Sequence, residues 1–210
     1  MRDIETLKKE QVECSKYIIQ EDCFKDFNTI GGVDLTFLKK SGKTIGIGAL
    51  VILDKEKHVL HEHTYEDYVD FPYIPGFLSY REFPIMEKLI KTSKIEPDIY
   101  MIDGNGMLHP RFCGLASYFG VKLDKISFGV AKKLLIGNVN EDGYITLDGK
   151  IIGKAVKTKK NTKPVFVSVG HKISLESAVN ITFSFSKYRI PEPTRLAHNL
   201  LKNLRKEEEL

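Results

Sequence analysis

The hydrophobic pattern in the first half of the chain predicts three successive strands. Residues 29–38 and 44–54 are mostly apolar, and the second run is apolar on both faces, which is typical of a central strand. Residues 58–69 alternate between apolar and polar side chains and predict a third strand. Because the breaks between these runs are short, we expect an antiparallel meander. Residues 1–28, which precede the strands, predict an amphipathic helical arm.

Helices and strands alternate in the remainder of the chain. The stretch 71–79 contains two prolines and a glycine and predicts a loop. Ser79 is placed to cap a helix from Tyr80 to Thr92, with Glu82 at the third position of a capping box. The next predicted elements are a buried strand at 98–103, a helix from about Pro110 to Phe119 and a strand at 127–131. A hairpin at 144–157, turned at Asp148 and Gly149, and a strand at 164–169 with a turn at 170–172 follow. The last two predicted elements are a helix from its cap Ser174 to about Lys187 and a helix at 191–204 before a charged tail.

This order of elements predicts a single α/β domain over residues 1–210, with a central mixed β-sheet flanked by helices. Hydrophobic residues make up 42% of the chain, which is enough for a packed core. No apolar run approaches the roughly 20 residues of a membrane-spanning helix, and the first residues lack the apolar block of a signal peptide. We therefore expect a cytoplasmic protein without a membrane partner. The three cysteines do not indicate a disulfide framework, and the net charge of +4 weakly favours polyanionic partners.

Two aspartates occupy predicted strands, where an unpaired charge is costly. Asp34 lies near the middle of the first strand, and Asp103 ends the strand at 98–103. If these strands pair in parallel, the two carboxylates are neighbours and repel each other unless a cation lies between them. Glu82 could supply a third carboxylate. Such a set predicts Mg²⁺, with Mn²⁺ as a substitute, and phosphoryl chemistry. The alternatives are that Asp103 caps the following turn, that Asp34 faces solvent and that Glu82 serves a capping box.

Several stretches of the chain resemble the endonuclease V family. The resemblance implies a ribonuclease H-like fold and a Mg²⁺-dependent endonuclease that recognises hypoxanthine, as deoxyinosine or inosine, in nucleic acid. It also implies cleavage of the second phosphodiester bond 3′ to the lesion, which leaves 3′-hydroxyl and 5′-phosphate ends, in the repair of deaminated adenine. The matching pieces are GGVDLTF (31–37), PYIPGFLSYRE (72–82), DGNGMLHPR (103–111), GVAKKLL (129–135), PVFVSVGHKISLESA (164–178) and YRIPEPTRLAH (188–198).

The same resemblance implies roles for individual residues. Asp34, Glu82 and Asp103 would hold the metal, with His109 and Lys132 near the scissile phosphate. His198, at a position where many bacterial members have Asp, would lie in or near the metal shell. The loop from Pro72 to Pro75 would act as a wedge where the base leaves the stack. The implied substrate contacts are Pro72, Tyr73, Ile74, Pro75, Gly76, Gly104, Gly106, Leu108, Gly170 and His171.

Other interpretations of these residues stay open at the level of sequence. His109 could pack against Pro110, Lys132 could be a solvated lysine, Tyr73 could close a small satellite core, and His198 could lie on a helix surface away from the metal. The basic loop 157–163 is either solvated or follows a phosphate backbone.

Three alternatives to the leading function also stay open. Inosine-containing RNA could be the main substrate. The chain could be an inactive nucleic-acid-binding module of the same fold, although all three carboxylates are present. It could also be a general nuclease for hybrid duplexes, which would not need a wedge loop. We expect a monomer.

Overall fold

One mixed β-sheet organises the part of the chain that the computed structural model describes, residues 3–208. Its strands are β1 (Thr29–Lys40), β2 (Lys43–Asp54), β3 (Val59–Tyr68), β4 (Ile99–Asp103), β5 (Ser127–Ala131), β6 (Asn138–Val139), β7 (Tyr144–Leu147), β8 (Lys150–Val156) and β9 (Val165–His171). The helices are α1 (Ile4–Ser15), α2 (Leu78–Thr92), α3 (Leu115–Leu123), α4 (Leu175–Ser184) and α5 (Glu192–Glu208).

The strand order in the sheet is β3-β2-β1-β4-β5-β9-β8-β7-β6. The first three strands pair antiparallel, which confirms the predicted meander. β4 pairs in parallel with both β1 and β5, and the remaining pairs are antiparallel. The mixed sheet that the sequence predicts is therefore confirmed.

Helices cover both faces of the sheet, because strand β2, which lies between β3 and β1 and is second from the edge of the sheet, is apolar on both of its faces. Val51 belongs to a core that includes Leu201 of α5, whereas the next residue, Ile52, belongs to a core that includes Met86 of α2 and Phe119 of α3. Successive side chains of a strand point to opposite faces, so one apolar run serves two cores. The predicted flanking helices are confirmed.

Two helices differ from the prediction at their ends. The arm at 1–28 is helical from Ile4 to Ser15, with the Asp3 side chain as its N-cap, and the following segment instead bonds to β9 and its neighbours. The helix expected from Pro110 begins at Leu115. Phe112 has a left-handed backbone with φ of 55°, which interrupts a helix at that point.

The predicted capping box at the start of α2 is wrong. The helix begins at Leu78, its N-cap Phe77 makes no side-chain capping bond, and Ser79 lies inside the first turn. The Ser79 hydroxyl instead accepts from Gln11 Nε2 at 3.4 Å. Glu82 is consequently free of a capping role and lies buried on the helix.

Further differences concern strand and helix ends in the second half. Residues 170 and 171 continue β9 and do not form a turn, while α4 ends at Ser184 and α5 extends through the charged tail to Glu208. The short strand β6 was not predicted. The hairpin turn at Asp148 and Gly149 is confirmed, since both residues have positive φ, of 50° and 75°.

Two sequence-level expectations concern covalent and membrane features. Cys14, Cys23 and Cys113 are all free thiols. Across residues 3–208, no helix has both the length and the apolar character needed to cross a membrane.

Candidate functional site

The site is built on the parallel pairing of β1 and β4. Val33 of β1 pairs with Ile102 of β4, and the next residue of each strand is an aspartate, Asp34 and Asp103. The two carboxylates are therefore neighbours, as predicted, at the carboxyl end of β4. This is where open α/β sheets place their ligands.

A histidine and a lysine meet these two carboxylates. His198 of α5 places Nδ1 2.8 Å from Asp34 Oδ2, and Lys132, directly after β5, donates from Nζ to Asp103 Oδ2 at 2.5 Å. The backbone N–H of Leu35 donates to Asp34 Oδ1 at 2.8 Å. The His198 side chain is 56% exposed, yet it contacts the site and does not stand apart on the helix surface.

Burial concentrates negative charge at this edge of the sheet. Asp34 is 8% exposed, and burial together with the charge of Asp103 raises its pKa to about 6, although His198 and Lys132 act in the opposite direction. Glu82 is 9% exposed, and burial raises its pKa to about 8, with further contributions from Asp34 and Asp103. The three carboxylates thus repel one another, and a cation would relieve this repulsion.

The carboxylates suit Mg²⁺ in donor type but are not arranged as a complete set of ligands. Within the described range 3–208, no group of three or more His, Cys, Asp or Glu side chains is placed to hold a metal ion. Asp103 is instead turned to Lys132, and Asp34 to His198. Mg²⁺ commonly takes one or two carboxylates and completes its shell with water and phosphate oxygens. The Asp34–Asp103 pair fits that pattern, and a share of Glu82 in the metal stays a prediction.

A cavity of about 130 Å³ begins next to the carboxylates, because Gly104 directly follows Asp103. The predicted residues that line it are Tyr73, Ile74, Pro75, Gly76, Gly104 and His109. Lining residues that the sequence analysis missed are Gln11, Leu78, Ser79, Asn105, Gly114, Leu115 and Leu135.

Two of these lining residues carry features that suit a ligand. Asn105 Oδ1 is buried and has no hydrogen-bond partner, so a polar group of a bound molecule would satisfy it. Leu135 is a half-exposed apolar residue that follows the two lysines 132 and 133. Its position after these lysines is the sequence feature that could have indicated a place in the site.

The wedge loop contributes residues both to the cavity and to a separate groove. Tyr73 is 69% exposed, so it does not close a satellite core. Pro72 lines a separate groove of about 540 Å³, together with aromatic residues that include Phe71 and Tyr80. The loop therefore presents an exposed tyrosine at its tip and the cavity wall behind it.

His109 is a buried, neutral imidazole. Its Nδ1 accepts from the backbone N–H of Arg111 at 3.2 Å, so Nε2 carries the proton and donates to Gly76 O at 3.1 Å. Burial lowers the pKa of His109 to about 4, and the charge of Arg111 adds to this effect. The implied donation to a phosphate oxygen stays a prediction, because this N–H is already bonded to Gly76.

Two predicted contact glycines are explained by backbone packing. A Cβ on Gly106 would lie 2.0 Å from Val169 O, and a Cβ on Gly170 would lie 2.4 Å from Ser127 O. Gly106 N also donates to Ser168 Oγ at 2.8 Å. Neither glycine lines the cavity, and their contact with substrate stays a prediction.

Leu108 and His171 also lie outside the cavity. Leu108 is fully buried in a small core with Ile145 and Ile152. His171 pairs with Ser127 at the amino end of β5, about 10 Å along the strand from the residue opposite Asp103. Its Nδ1 accepts from Ile19 N at 3.3 Å. The structure therefore gives both residues packing or anchoring roles and does not bring them to the carboxylates.

Basic side chains extend away from the carboxylates on both sides of Lys132. A groove of about 400 Å³ contains Asp34 and His198 and continues along α5 past Lys202, Arg205 and Lys206. On the other side, Arg189 donates to Lys132 O at 2.8 Å and to Lys163 O at 2.9 Å, which fixes the end of the basic loop 157–163 beside the site. The sequence does not predict a continuous basic face of α5, because the predicted helix ends at residue 204 and leaves Arg205 and Lys206 in a tail.

Comparisons with known proteins agree over nearly the whole chain. Endonuclease V of Dictyoglomus thermophilum is 46% identical over 197 residues, which cover 90% of this chain and 85% of that protein. Endonuclease V of Kosmotoga olearia is 42% identical over 191 residues, with 87% and 83% covered.

Solved structures show the same architecture. The endonuclease V of Bacillus subtilis superposes with a TM-score of 0.90 at 29% identity and covers 100% of this chain and 94% of that one. Endonuclease V of Ciona intestinalis, solved with a 24mer DNA containing an inosine followed by a ribo-adenosine, gives a TM-score of 0.84 at 31% identity and covers 97% and 98%. The sequence model of the endonuclease V family matches residues 12–199. The chain therefore belongs to the endonuclease V family of nucleic-acid-hydrolysing enzymes.

Proposed function

We propose that this protein is a Mg²⁺-dependent endonuclease that recognises hypoxanthine in DNA and hydrolyses the second phosphodiester bond 3′ to it. The products would carry 3′-hydroxyl and 5′-phosphate ends. The observation that carries the proposal is the parallel pairing of β1 and β4, which sets Asp34 beside Asp103 and opens the cavity from Gly104. Cleavage and recognition would thus occupy adjoining positions at one edge of the sheet.

The residues at the edge have distinct tasks in this proposal. Asp34 and Asp103, with Glu82, would hold Mg²⁺, which when bound supplies Lewis-acid polarisation of a phosphate oxygen and a more acidic water. The Lys132 ammonium, 2.5 Å from Asp103, would stabilise the negative charge that develops on the phosphate. His198 would keep the Asp34 carboxylate oriented through its 2.8 Å contact.

Base recognition would use the cavity of about 130 Å³. A base reaches such a cavity after it leaves the stack, and the exposed Tyr73 would fill the space left behind. Hypoxanthine differs from adenine in its carbonyl at C6 and its protonated N1, so polar groups in the wall discriminate between the two bases. The buried, unpartnered Asn105 Oδ1 is available for such a contact. The complex of the Ciona intestinalis relative with inosine-containing DNA supports this choice of substrate.

Cleavage of labelled oligonucleotides tests the proposal. Single-stranded and duplex substrates carry one deoxyinosine or one inosine, with adenine at the same position in the control strand, and are incubated with Mg²⁺ or with EDTA. We expect one cut at the second bond 3′ to hypoxanthine, in Mg²⁺ and not in EDTA. Faster cleavage of the ribonucleotide substrates would make RNA the main substrate. Binding without cleavage would indicate an inactive module, and equal cleavage of the adenine strand would contradict lesion recognition.

We further propose that the protein acts as a cytoplasmic monomer in the repair of deaminated adenine. The support for a single working unit is that the carboxylates, the cavity and the basic groove all come from one chain. Sedimentation of the protein with and without substrate measures the stoichiometry. A stable dimer, or a cleavage rate per chain that rises with protein concentration, would contradict the monomer. Microscopy of a tagged protein tests its location.

A further inference from the structure

The carbonyl oxygen of Gly76 is the meeting point of three side-chain donors. It accepts from Arg111 Nη2 at 2.6 Å, from His109 Nε2 at 3.1 Å and from Gln11 Nε2 at 3.2 Å. Gly76 has a φ of +80°, directly follows the wedge loop and lines the cavity. A carbonyl oxygen has two lone pairs, so three donors share it as one network. The position of this part of the cavity wall is therefore set by side chains outside the loop.

Gln11 is the member of this network that comes from α1, an element with no residue among the carboxylates or their partners. Its side chain is 1% exposed, and its Oε1 accepts from Arg111 Nε at 2.6 Å. Because a guanidinium nitrogen can only donate, this contact fixes which end of the amide is oxygen. The Nε2 end then faces Gly76 O, Ser79 Oγ at 3.4 Å and Cys113 O at 3.4 Å.

This one amide thus joins three separate parts of the cavity wall. Gly76 directly follows the wedge loop, Ser79 belongs to the first turn of α2, and Cys113 belongs to the loop that follows β4. Gln11 also lines the cavity itself. The Arg111 guanidinium that Gln11 orients lies 4.6 Å from the centre of the Phe77 ring, which holds the start of α2. A buried amide whose two N–H groups are shared among these acceptors favours one arrangement of them.

We propose that Gln11 is a positioning residue for base recognition, which fixes the Gly76 carbonyl and thereby the shape of the cavity that receives the extruded base. The inference rests on the proposed function for the identity of the base. Gln11 reaches no reacting group, so its effect is expected in substrate selection and in the wedge loop. The chemical step at Asp34 and Asp103 should be affected much less.

Two substitutions separate the two ends of the amide. Gln11→Glu keeps an acceptor for Arg111 but loses the donor to Gly76 O, whereas Gln11→Leu loses both. Leu7→Val is the matched control, since Leu7 is a fully buried residue of the same helix without a side-chain bond to the loop. Each variant is assayed well below its unfolding temperature, with its folded state verified by circular dichroism.

The kinetic readout is the division of the effect between KM and kcat on inosine-containing single strands. We expect KM to rise about fivefold to tenfold in Gln11→Glu, the scale of one lost hydrogen bond, and more in Gln11→Leu. The preference for hypoxanthine over adenine should fall by a similar factor, while kcat changes little. Equal KM and preference in the Gln11 variants and in Leu7→Val would overturn the proposal.

A second readout does not depend on any substrate. The sequence contains no tryptophan, so Tyr73→Trp places a single tryptophan, which can be excited selectively over the remaining tyrosines, at the tip of the wedge loop. Time-resolved anisotropy of the DNA-free protein then reports nanosecond motion of that loop. We expect a larger fast component when Gln11→Glu or Gln11→Leu is added and no change with Leu7→Val. Unchanged anisotropy in the Gln11 backgrounds would overturn the positioning role.

The two readouts separate this inference from the proposed function. If the wild-type protein fails to distinguish inosine from adenine, the proposed function is wrong, and the anisotropy measurement still decides whether Gln11 holds the loop. If the wild type is selective and the anisotropy is unchanged, the proposed function stands and the role of Gln11 is refuted.

Discussion

Asp34 and Glu82 at the carboxylate edge differ in kind from Gln11 and Gly76 in the cavity wall next to them. Burial and mutual repulsion raise the pKa values of the two acids, to about 6 and about 8. The Gln11 amide is buried as well, but its hydrogen bonds to the Gly76 carbonyl and to Arg111 are made within the protein. The edge carries unfavourable charge that a bound cation relieves, whereas the hydrogen bond between Gln11 and Gly76 in the wall is already made before any ligand arrives. Metal and pH should therefore change the behaviour of the carboxylate edge, whereas substitutions that alter side-chain geometry should change the cavity wall.

The largest expected effect is the loss of one edge carboxylate. Asp103→Asn should lower Mg²⁺-dependent cleavage by about a thousandfold or more, because several kcal/mol of transition-state stabilisation would depend on the bound cation. The fold should persist, since Asp103 ends its strand and contributes no core packing. Single-turnover cleavage of inosine-containing strands measures the effect, with Asp67→Asn on β3 as a control carboxylate. Near-wild-type cleavage by Asp103→Asn would refute the two-carboxylate site.

The next effect concerns stability without metal. The folded-state pKa of Glu82, about 8, lies above its ordinary value of 4.5, so folding favours the protonated acid. This contribution is fully present below about pH 4.5 and is lost as the pH rises through about 8. Asp34 behaves in the same way between 3.8 and about 6. Glu82→Gln should therefore stabilise the metal-free protein at pH 9 by on the order of 1–4 kcal/mol, and much less at pH 5.

Thermal unfolding in EDTA at both pH values measures this difference. If Glu82 shares the metal, saturating Mg²⁺ at neutral pH should make the wild type unfold at a higher temperature than Glu82→Gln, the reverse of the order in EDTA. If the unfolding temperatures of the wild type and Glu82→Gln depend on pH in the same way, burial and the neighbouring carboxylates do not raise the pKa of Glu82.

A smaller effect is expected at the exposed tip of the wall. Tyr73→Ala should weaken binding to an inosine-containing duplex by roughly 1–3 kcal/mol, the scale of a lost base–aromatic stack, and should matter less for single strands. Tyr68→Ala on β3 removes a similarly exposed tyrosine and serves as the control. Binding in EDTA, measured by fluorescence anisotropy of labelled DNA, separates affinity from cleavage. Equal losses on duplex and single strand would mean that Tyr73 supports the loop and does not act as a wedge.

The edge and the wall also differ in how far the sequence predicts them. The apolar runs of β1, β2 and β4 are local patterns, and parallel pairing then brings Asp34 to Asp103 without further information. Gln11 meets partners 65 and 100 residues away, and no local pattern distinguishes it from a surface glutamine of an amphipathic helix. The start of α3, predicted at Pro110 but found at Leu115, is wrong for a similar reason. The left-handed backbone at Phe112 is not apparent from its residue type.

The smallest expected effect lies at His198, where the edge reaches solvent. Because the His198 side of the pair is 56% exposed, the pair contributes little by itself, and loss of the 2.8 Å contact in His198→Ala should slow cleavage by only about threefold to tenfold. His198→Asn retains an N–H donor and should recover part of that loss if the contact orients Asp34. His198→Asp adds a carboxylate next to Asp34, which should raise repulsion without metal and lower the Mg²⁺ concentration needed for half-maximal cleavage.

Mg²⁺ titrations of cleavage at one fixed pH compare the wild type with these three variants, and Lys202→Ala, one turn further along α5, is the control for the loss of a basic residue from the groove. A shift of the midpoint in His198→Asp with little change in maximal rate would place position 198 within reach of the metal. A change in rate alone, restored by His198→Asn, would show that the imidazole acts through Asp34. Identical curves for all of them would mean that the contact between His198 and Asp34 has no part in cleavage, and that the edge works through its carboxylates and Lys132 alone.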